Sequence, residues 1–235
     1  LIPLEKIVQE LGIYQGLESF LNEIEIETLL ALSYNRVVRP TAMNNVQTWY
    51  EGSSLWLKNP KLPLSGQRIS ELLASIGRSN IPEQFMNQFA ASIEPEATLL
   101  YDITSLSSSS KLIELLEYGY NRDNDGLPQI NLSLVVDKVR GIPIRYDIYS
   151  GSIANITTLT NTIQRLKQAG NDQFKLILDR GFFSQTSLAE LIDKKIPYII
   201  PATMQLNSVK ELMSNVQNKV KNAEYLQKYE KGTIF

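Results

Sequence analysis

Two aspartates carry the chemistry that can be read from this chain. Asp102 follows the apolar run Ala97-Thr-Leu-Leu-Tyr101, and Asp179 follows Phe174-Lys-Leu-Ile-Leu178. The chain has no histidine and no cysteine. That removes the commonest general base, thiolate nucleophiles and disulfides, and leaves oxygen as the only donor for a metal. Two carboxylates held together in a partly desolvated site repel, and one takes up a proton unless a cation lies between them. Oxygen donors select magnesium or manganese. A pair of such ions roughly 4 Å apart activates the attacking oxygen and stabilises the leaving oxygen of an in-line phosphoryl transfer. An aspartate that ends a strand also caps the following turn, and for either residue alone that plainer role stays open.

The aspartates are far apart in sequence, so only the fold can join them. The run over 97–104 is nearly continuously apolar and predicts a strand buried on both faces, followed by a serine-rich loop over 105–110. Ile130, Leu132, Leu134 and Val136 alternate with polar neighbours, as do Ile142, Ile144, Tyr146 and Ile148, with Gly141 near the turn, which predicts a hairpin. Ile156, Leu159, Ile163 and Leu166 restore the helical period and end near Gly170. A buried strand then runs into Asp179. A helix capped by Ser184 with Leu188, Leu191 and Ile192 inward comes next, and Pro197 opens a short edge strand. Ser208-Val-Lys-Glu211 reads as a capping box for a helix with Leu212, Met213, Val216 and Val220 inward.

The first ~95 residues read as helices. Leu17, Phe20, Leu21 and Ile24 form one stripe, Ile69, Leu72, Leu73 and Ile76 another, and a third helix opens at Asn80 with Phe85, Met86 and Phe89 inward. Between the first two stripes, Trp49 and Trp56 are expected to pin loops or a short helix to the core. The expected division is a helical N-terminal domain over 1–95, a catalytic core over 96–205, and a helix with the start of a truncated insertion over 206–235. The order strand, strand, strand, helix, strand, helix, strand resembles the RNase H-like α/β fold. There the first three strands are antiparallel and the fourth lies parallel beside the first, which brings Asp102 and Asp179 to neighbouring strand ends.

The composition is ordinary for a globular protein, 43% hydrophobic and 20% charged. The net charge of −2 argues mildly against a nucleic-acid partner, but its distribution is uneven. Residues 1–33 hold Glu5, Glu10, Glu18, Glu23, Glu25 and Glu27 against Lys6, whereas residues 34–80 hold Arg36, Arg39, Lys58, Lys61, Arg68 and Arg78 against Glu51 and Glu71. Arg36, Arg39, Lys58 and Lys61 are therefore candidate phosphate contacts, and an ordinary solvated surface is the competing reading. No apolar run approaches the roughly 20 residues that span a bilayer, so a soluble, cytoplasmic protein with no membrane partner is expected. The start lacks methionine and the end, Lys231-Gly-Thr-Ile-Phe235, reads like a strand cut midway, so a fragment is expected.

Three stretches resemble successive core motifs of DDE transposases of prokaryotic insertion sequences, in the large insertion sequence 4 superfamily. They are Leu99-Leu-Tyr-Asp102-Ile-Thr104, then Gly141-Ile-Pro-Ile144 leading to Tyr149-Ser-Gly151, then Leu178-Asp-Arg-Gly-Phe-Phe-Ser184. The resemblance covers roughly 95–205 well, and the front end, including Tyr34-Asn-Arg-Val-Val-Arg-Pro40, more loosely. It implies that Asp102 and Asp179 are the first two catalytic and metal-binding acids and that Mg2+ or Mn2+ is the cofactor. It also implies that DNA is the partner, with Arg180 among the contacts, and that the full-length protein is a homodimer. The family's third acid lies in a Tyr-x-x-Arg-x-x-x-Glu pattern followed by lysine, and no such segment occurs here. Glu211, Glu224 and Glu230 lie too early or lack the flanks. Glu211 on the last helix stays open as a substitute.

Two other readings compete with a transposase core. One is a truncated, catalytically inert DNA-binding remnant. The other is a phosphatase of the haloacid dehalogenase type, which wants a second aspartate two positions after the first, where this chain has Thr104.

Overall fold

A computed structural model describes residues 1–91, 93–119, 126–153, 155–203, 205–216, 227–229 and 232–234. The chain divides into two compact units, Leu1–Ser92 and Ile93–Phe235.

The regular elements among the described residues of the first unit are helices. Its helices are α1 (Ile2–Glu10), α2 (Ile13–Glu18), α3 (Glu23–Val38), α4 (Val46–Glu51), α5 (Gly66–Gly77) and α6 (Ile81–Ala90), with a 3₁₀ turn at Met43–Asn45 before α4. The stripe expected from Leu17 to Ile24 is broken. Asn22 Oδ1 accepts the Glu25 N–H at 3.1 Å while Glu25 Oε2 accepts the Asn22 N–H at 3.0 Å, a reciprocal cap that starts a new helix. Leu17 is therefore buried on α2 while Ile24 is exposed on α3. At α6 the Asn80 side chain makes no capping bond, and the Ser79 hydroxyl accepts the Ile81 N–H at 3.2 Å instead. Trp49 packs against a core built from Ala31, Leu32, Tyr34, Val46, Tyr50 and Ile69. Trp56 is exposed, contrary to the expectation that it pins a loop.

The second unit runs β1 (Ala97–Ser107), β2 (Gln129–Asp137), β3 (Ile142–Ser150), α7 (Asn155–Gln168), β4 (Phe174–Leu178), α8 (Gln185–Asp193), β5 (Tyr198–Ile199), α9 (Asn207–Val216), β6 (Gln227–Tyr229) and β7 (Gly232–Ile234). A 3₁₀ turn, Arg180–Phe182, links β4 to α8. Five strands form one mixed sheet in the order β3-β2-β1-β4-β5. The β1–β2 and β2–β3 pairs are antiparallel, and β1–β4 and β4–β5 are parallel. Strands β6 and β7 form a separate antiparallel ribbon. The hairpin between β2 and β3 turns on Gly141 at φ 67°, a left-handed conformation that glycine adopts without strain. Asp137 Oδ1 supports that turn by accepting the N–H groups of Val139 and Arg140 at 2.9 and 3.1 Å.

Helices α7 and α8 cover one face of the sheet. Leu159, Ile163, Leu166 and Leu191 have no exposure and share a core with Leu99, Tyr101, Val135, Ile144, Leu176 and Leu178. β1 is consequently buried on one face only, not on two. Leu99 and Tyr101 are covered, while Leu100 and Asp102 are exposed. The strand also extends past Thr104, because the serines pair with β2: Ser105 stands opposite Asn131, and its hydroxyl donates to Asn131 Oδ1 at 3.1 Å.

The later helices depart from expectation too. Ile192 is exposed on α8 beside fully buried Leu191. Ser208 lies inside α9 rather than before it, and Leu212, Met213 and Val216 are exposed rather than inward. Val220, Glu224 and Glu230 lie outside the described residues. Among the described residues, no helix is long and apolar enough to cross a membrane.

Candidate active site

The parallel pairing of β1 with β4 sets the site. Leu99 stands opposite Leu176, Leu100 opposite Ile177 and Tyr101 opposite Leu178. Asp102 and Asp179 are the next residues on the two strands. Side chains alternate across a sheet, and adjacent strands lie about 4.8 Å apart. Because Leu99, Tyr101, Leu176 and Leu178 all point into the core, both aspartates belong to the opposite, open face. Both are exposed. One sequence expectation changes: Asp102 lies in the middle of β1, and it is β4 that ends beside it.

Two buried rings lie behind the pair. Tyr101, one residue before Asp102, packs against Phe182 of the 3₁₀ turn that follows Asp179, with ring centroids 5.1 Å apart. Both rings are almost fully buried, so the segments bearing the two acids are anchored to each other through the core. Burial pushes the Tyr101 phenol up to about 12, with the hydroxyls of Thr158, Thr162 and Ser133 pulling the other way. This anchor was missed in the sequence; its only signal was an aromatic residue flanking each aspartate.

Each carboxylate has one local bond. Asp102 Oδ1 accepts the Ile103 N–H at 2.8 Å. Asp179 Oδ1 accepts the Arg180 N–H and so caps the 3₁₀ turn, which makes the plainer capping role real for this residue. Neither forms an ion pair with another described residue, in contrast to Asp137 and Asp147, which bind arginines. Two exposed oxygen donors that form no ion pair among the described residues suit a hard divalent ion, whose remaining positions water or substrate would fill. No group of three or more acids gathers among the described residues. Glu211 is exposed on α9 and enters no such group.

The basic candidates divide. Arg180 is exposed and lines an open pocket with Phe183, Thr203 and Gln205. In the helical unit, Arg36 is exposed and donates from Nη2 to Met43 Sδ at 3.6 Å. Arg39 caps the end of α3, where Asn35 holds the backbone by donating to the Arg39 carbonyl at 3.0 Å. Lys61 is exposed. Lys58 is drawn into an ion pair with Glu5 at 2.5 Å, at a cavity of about 330 Å³ that Tyr14, Tyr34 and Tyr50 also line. An exposed pair of this kind contributes roughly 0–1 kcal/mol, so it holds Lys58 only weakly.

Residues 95–235 match the family described as Transposase DDE domain. No curated protein matches the chain. Among solved structures it is similar to the piggyBac transposase in a cryo-EM synaptic complex with hairpin DNA, at 15% identity and a TM-score of 0.50. That match covers 83% of this chain and 45% of the other, so the chain spans less than half the length of that relative. The Drosophila P element transposase in its strand transfer complex matches at 12% identity and a TM-score of 0.34, over 90% of this chain and 50% of that one. The Mos1 strand transfer complex matches at 11% and 0.32, over 83% and 64%. Only the first bears on the fold.

Proposed function

The chain belongs to the Transposase DDE domain family, and from that premise we propose that it is a partial catalytic core for metal-dependent DNA cleavage and strand transfer at the ends of an insertion sequence. The observation that carries this reading is the shared register. Asp102 and Asp179 follow the last paired residues of two parallel neighbours and occupy the same open face. In this reading the sheet is RNase H-like and the element is a prokaryotic one of the insertion sequence 4 superfamily. The two aspartates would hold Mg2+ or Mn2+, which when bound supplies charge stabilisation for phosphoryl transfer.

The chain's own residues do the positioning. The Tyr101–Phe182 contact fixes the spacing of the two acid-bearing segments, and the backbone N–H groups of Ile103 and Arg180 each orient one carboxylate oxygen. Arg180 is placed to meet a phosphate next to Asp179, and Arg36, Arg39 and Lys61 offer further phosphate contacts in the helical unit, with Lys58 joining once Glu5 releases it. A homodimer of the full-length protein completes the reading.

The second reading, an inert DNA-binding remnant, is favoured by one observation: two acids, and no third beside them among the described residues. Phosphoryl transfer depends on positioning and charge stabilisation, so a metal site lacking one acid forfeits much of its catalysis. Nothing favours the phosphatase, and Thr104 stands where it needs an acid.

The test is a strand-cleavage assay with manganese on DNA carrying the element's ends. It compares this chain with a version extended through a glutamate in the Tyr-x-x-Arg-x-x-x-Glu pattern. Cleavage is expected only in the extended version, and its loss there on Asp102→Asn or Asp179→Asn assigns the acids. Cleavage by the present chain that vanishes on Glu211→Gln would overturn the partial-core reading and make Glu211 the third acid. An inactive extended chain that still binds DNA would favour the remnant.

A further inference from the structure

We propose that the cavity among the helices of the first unit binds a small organic ammonium ion, with Glu27 and Tyr34 as its polar contacts. The inference stands apart from the reading of the sheet, because every residue that lines the cavity belongs to Leu1–Ser92.

The cavity measures about 330 Å³ and is walled by α1, α2, α3, α4 and the segment 55–62. Glu27, Leu30, Ala31 and Tyr34 all line it, and their spacing puts them on one face of α3. Leu55 and Leu62 are buried apolar walls. Tyr50 ties that side to the bundle by donating to the Leu55 and Asn59 carbonyls at 3.2 and 3.0 Å. An apolar hollow between helices with a few convergent polar groups is a common form of small-molecule site.

Three lining groups carry charge, Glu5, Glu27 and Lys58, and they do not cancel. Lys58 pairs with Glu5. Glu27 is half-buried and forms no ion pair with a described residue; its carboxylate accepts from the neutral amide of Asn59. Tyr34 is 7% exposed, and its hydroxyl has no hydrogen-bond partner among the described residues. Burial and then carboxylates push two of the lining phenols up, with Glu5 acting on Tyr34 and Glu23, Glu27 and Glu18 acting on Tyr14. The phenols therefore stay neutral in negative surroundings. A carboxylate of this kind favours a cation beside it, aromatic faces attract one, and a phenol oxygen accepts from an N–H donor. An anion would meet two carboxylates against one ammonium. A divalent metal ion takes six or more oxygen ligands, and no group of three acids gathers among the described residues. The apolar walls call instead for a carbon body. A water takes about 30 Å³ of liquid, so the cavity has room for about ten non-hydrogen atoms, the size of an amine bearing one ring or a short chain.

The test titrates the present chain, by calorimetry, with phenethylammonium, with the neutral phenethyl alcohol of similar shape and with the anion phenylpropionate. Phenethylammonium is expected to bind with a Kd below about 1 mM. The other two should bind at least about tenfold more weakly, the scale of a hydrogen bond to a charged group. Glu27→Gln, close in shape, should weaken the amine about tenfold and leave the alcohol unchanged. Tyr34→Phe, which keeps the ring, should weaken the amine about threefold. In the parent chain with isotope-labelled tyrosine rings, the NMR signals that the amine shifts should be those removed by Tyr14→Phe and Tyr34→Phe. A Glu27→Gln chain that loses both ligands reports a collapsed cavity, and the tyrosine shifts then decide. No binding of phenethylammonium up to about 10 mM, equal binding of amine and alcohol, an amine affinity that survives Glu27→Gln, or shifts confined to other tyrosines overturns the proposal.

Discussion

The two faces of the five-stranded sheet treat their charges in opposite ways. On the face covered by α7 and α8, Asp147 is buried and held from two sides, by Arg145 of its own strand at 3.2 Å and by Arg165 of α7. Asp137, also buried, is bound by Arg140 Nε at 2.8 Å and by two backbone N–H groups. On the open face, Asp102 and Asp179 each bind, among the described residues, the N–H of the residue that follows. Around them Leu100, Leu106, Leu134 and Ile148 remain exposed. The same strands carry both arrangements, separated only by the two-residue alternation of side chains. Fold stability therefore depends on the charges of the covered face, and the charges of the open face are left available for a ligand.

The largest effect should come from the covered face. Asp147→Ala takes from the guanidinium of Arg145, only 4% exposed, the carboxylate with which it forms a buried ion pair. Breaking a buried pair in this way costs about 3–5 kcal/mol, read as a lower midpoint in urea unfolding. A double replacement of Arg145 and Asp147 by apolar residues of similar volume should recover much of that loss, because it removes both buried charges together. A loss below about 1 kcal/mol in the single variant would place Asp147 in the same class as the open-face acids and break the contrast.

A pH measurement tests the same contrast at smaller scale. Burial alone would raise the Asp137 pKa, but the hydrogen bonds from the Arg140 N–H, its side chain and the Val139 N–H outweigh burial and hold it below its ordinary value. The folded-state pKa is thus lower than the unfolded one, near 3.9. The stability this adds is complete above the unfolded pKa and is lost as pH falls through the folded value. Asp137→Asn should cost on the order of 1 kcal/mol at neutral pH and should flatten the stability profile below about pH 4. An unchanged acid profile would mean that the hydrogen bonds to Asp137 persist equally in the unfolded chain.

Much of this arrangement was legible in the sequence, and the limits have physical causes. The succession of strands and helices follows from apolar runs and alternation, and the side-by-side placement of Asp102 and Asp179 was what the resemblance of that succession to the RNase H-like fold implied. What covers each face does not follow, because Leu100 and Leu106 are as apolar as Leu99 and the pattern alone cannot separate a strand buried on two faces from one buried on one. The break between α2 and α3 was readable, since Asn22 and Glu25 have the spacing of a capping box, but the apolar residues on either side suggested one continuous stripe. The Arg145–Asp147–Arg165 cluster and the Tyr101–Phe182 contact join residues whose nearness exists only after folding. So does the pairing of Lys58 with Glu5, which removes one cation from a face that residue counting left basic.

The smallest effect should come from the acids of the open face, where the contrast is sharpest. Asp102→Asn and Asp179→Asn are close in shape, occupy exposed positions and leave no buried partner stranded. Surface changes away from caps and ion pairs alter stability by about 0.5 kcal/mol or less. Asp179 also caps a 3₁₀ turn, and asparagine is about as good a cap as aspartate. The double variant should therefore unfold in urea within about 0.5 kcal/mol of the parent chain, and relief of repulsion between two neighbouring carboxylates acts in the stabilising direction. Manganese should distinguish the two chains where urea does not. A ligand that binds only the folded state raises its stability in proportion to the logarithm of its concentration over its dissociation constant. Two carboxylates leave most of an octahedral shell to water, so the shift in the parent chain should be small and visible only at millimolar metal, and it should be absent in the double variant. Equal manganese shifts in both chains would remove the aspartates from the metal site. A destabilisation of several kcal/mol in the double variant would show that the open face, like the covered one, spends its charges on the fold.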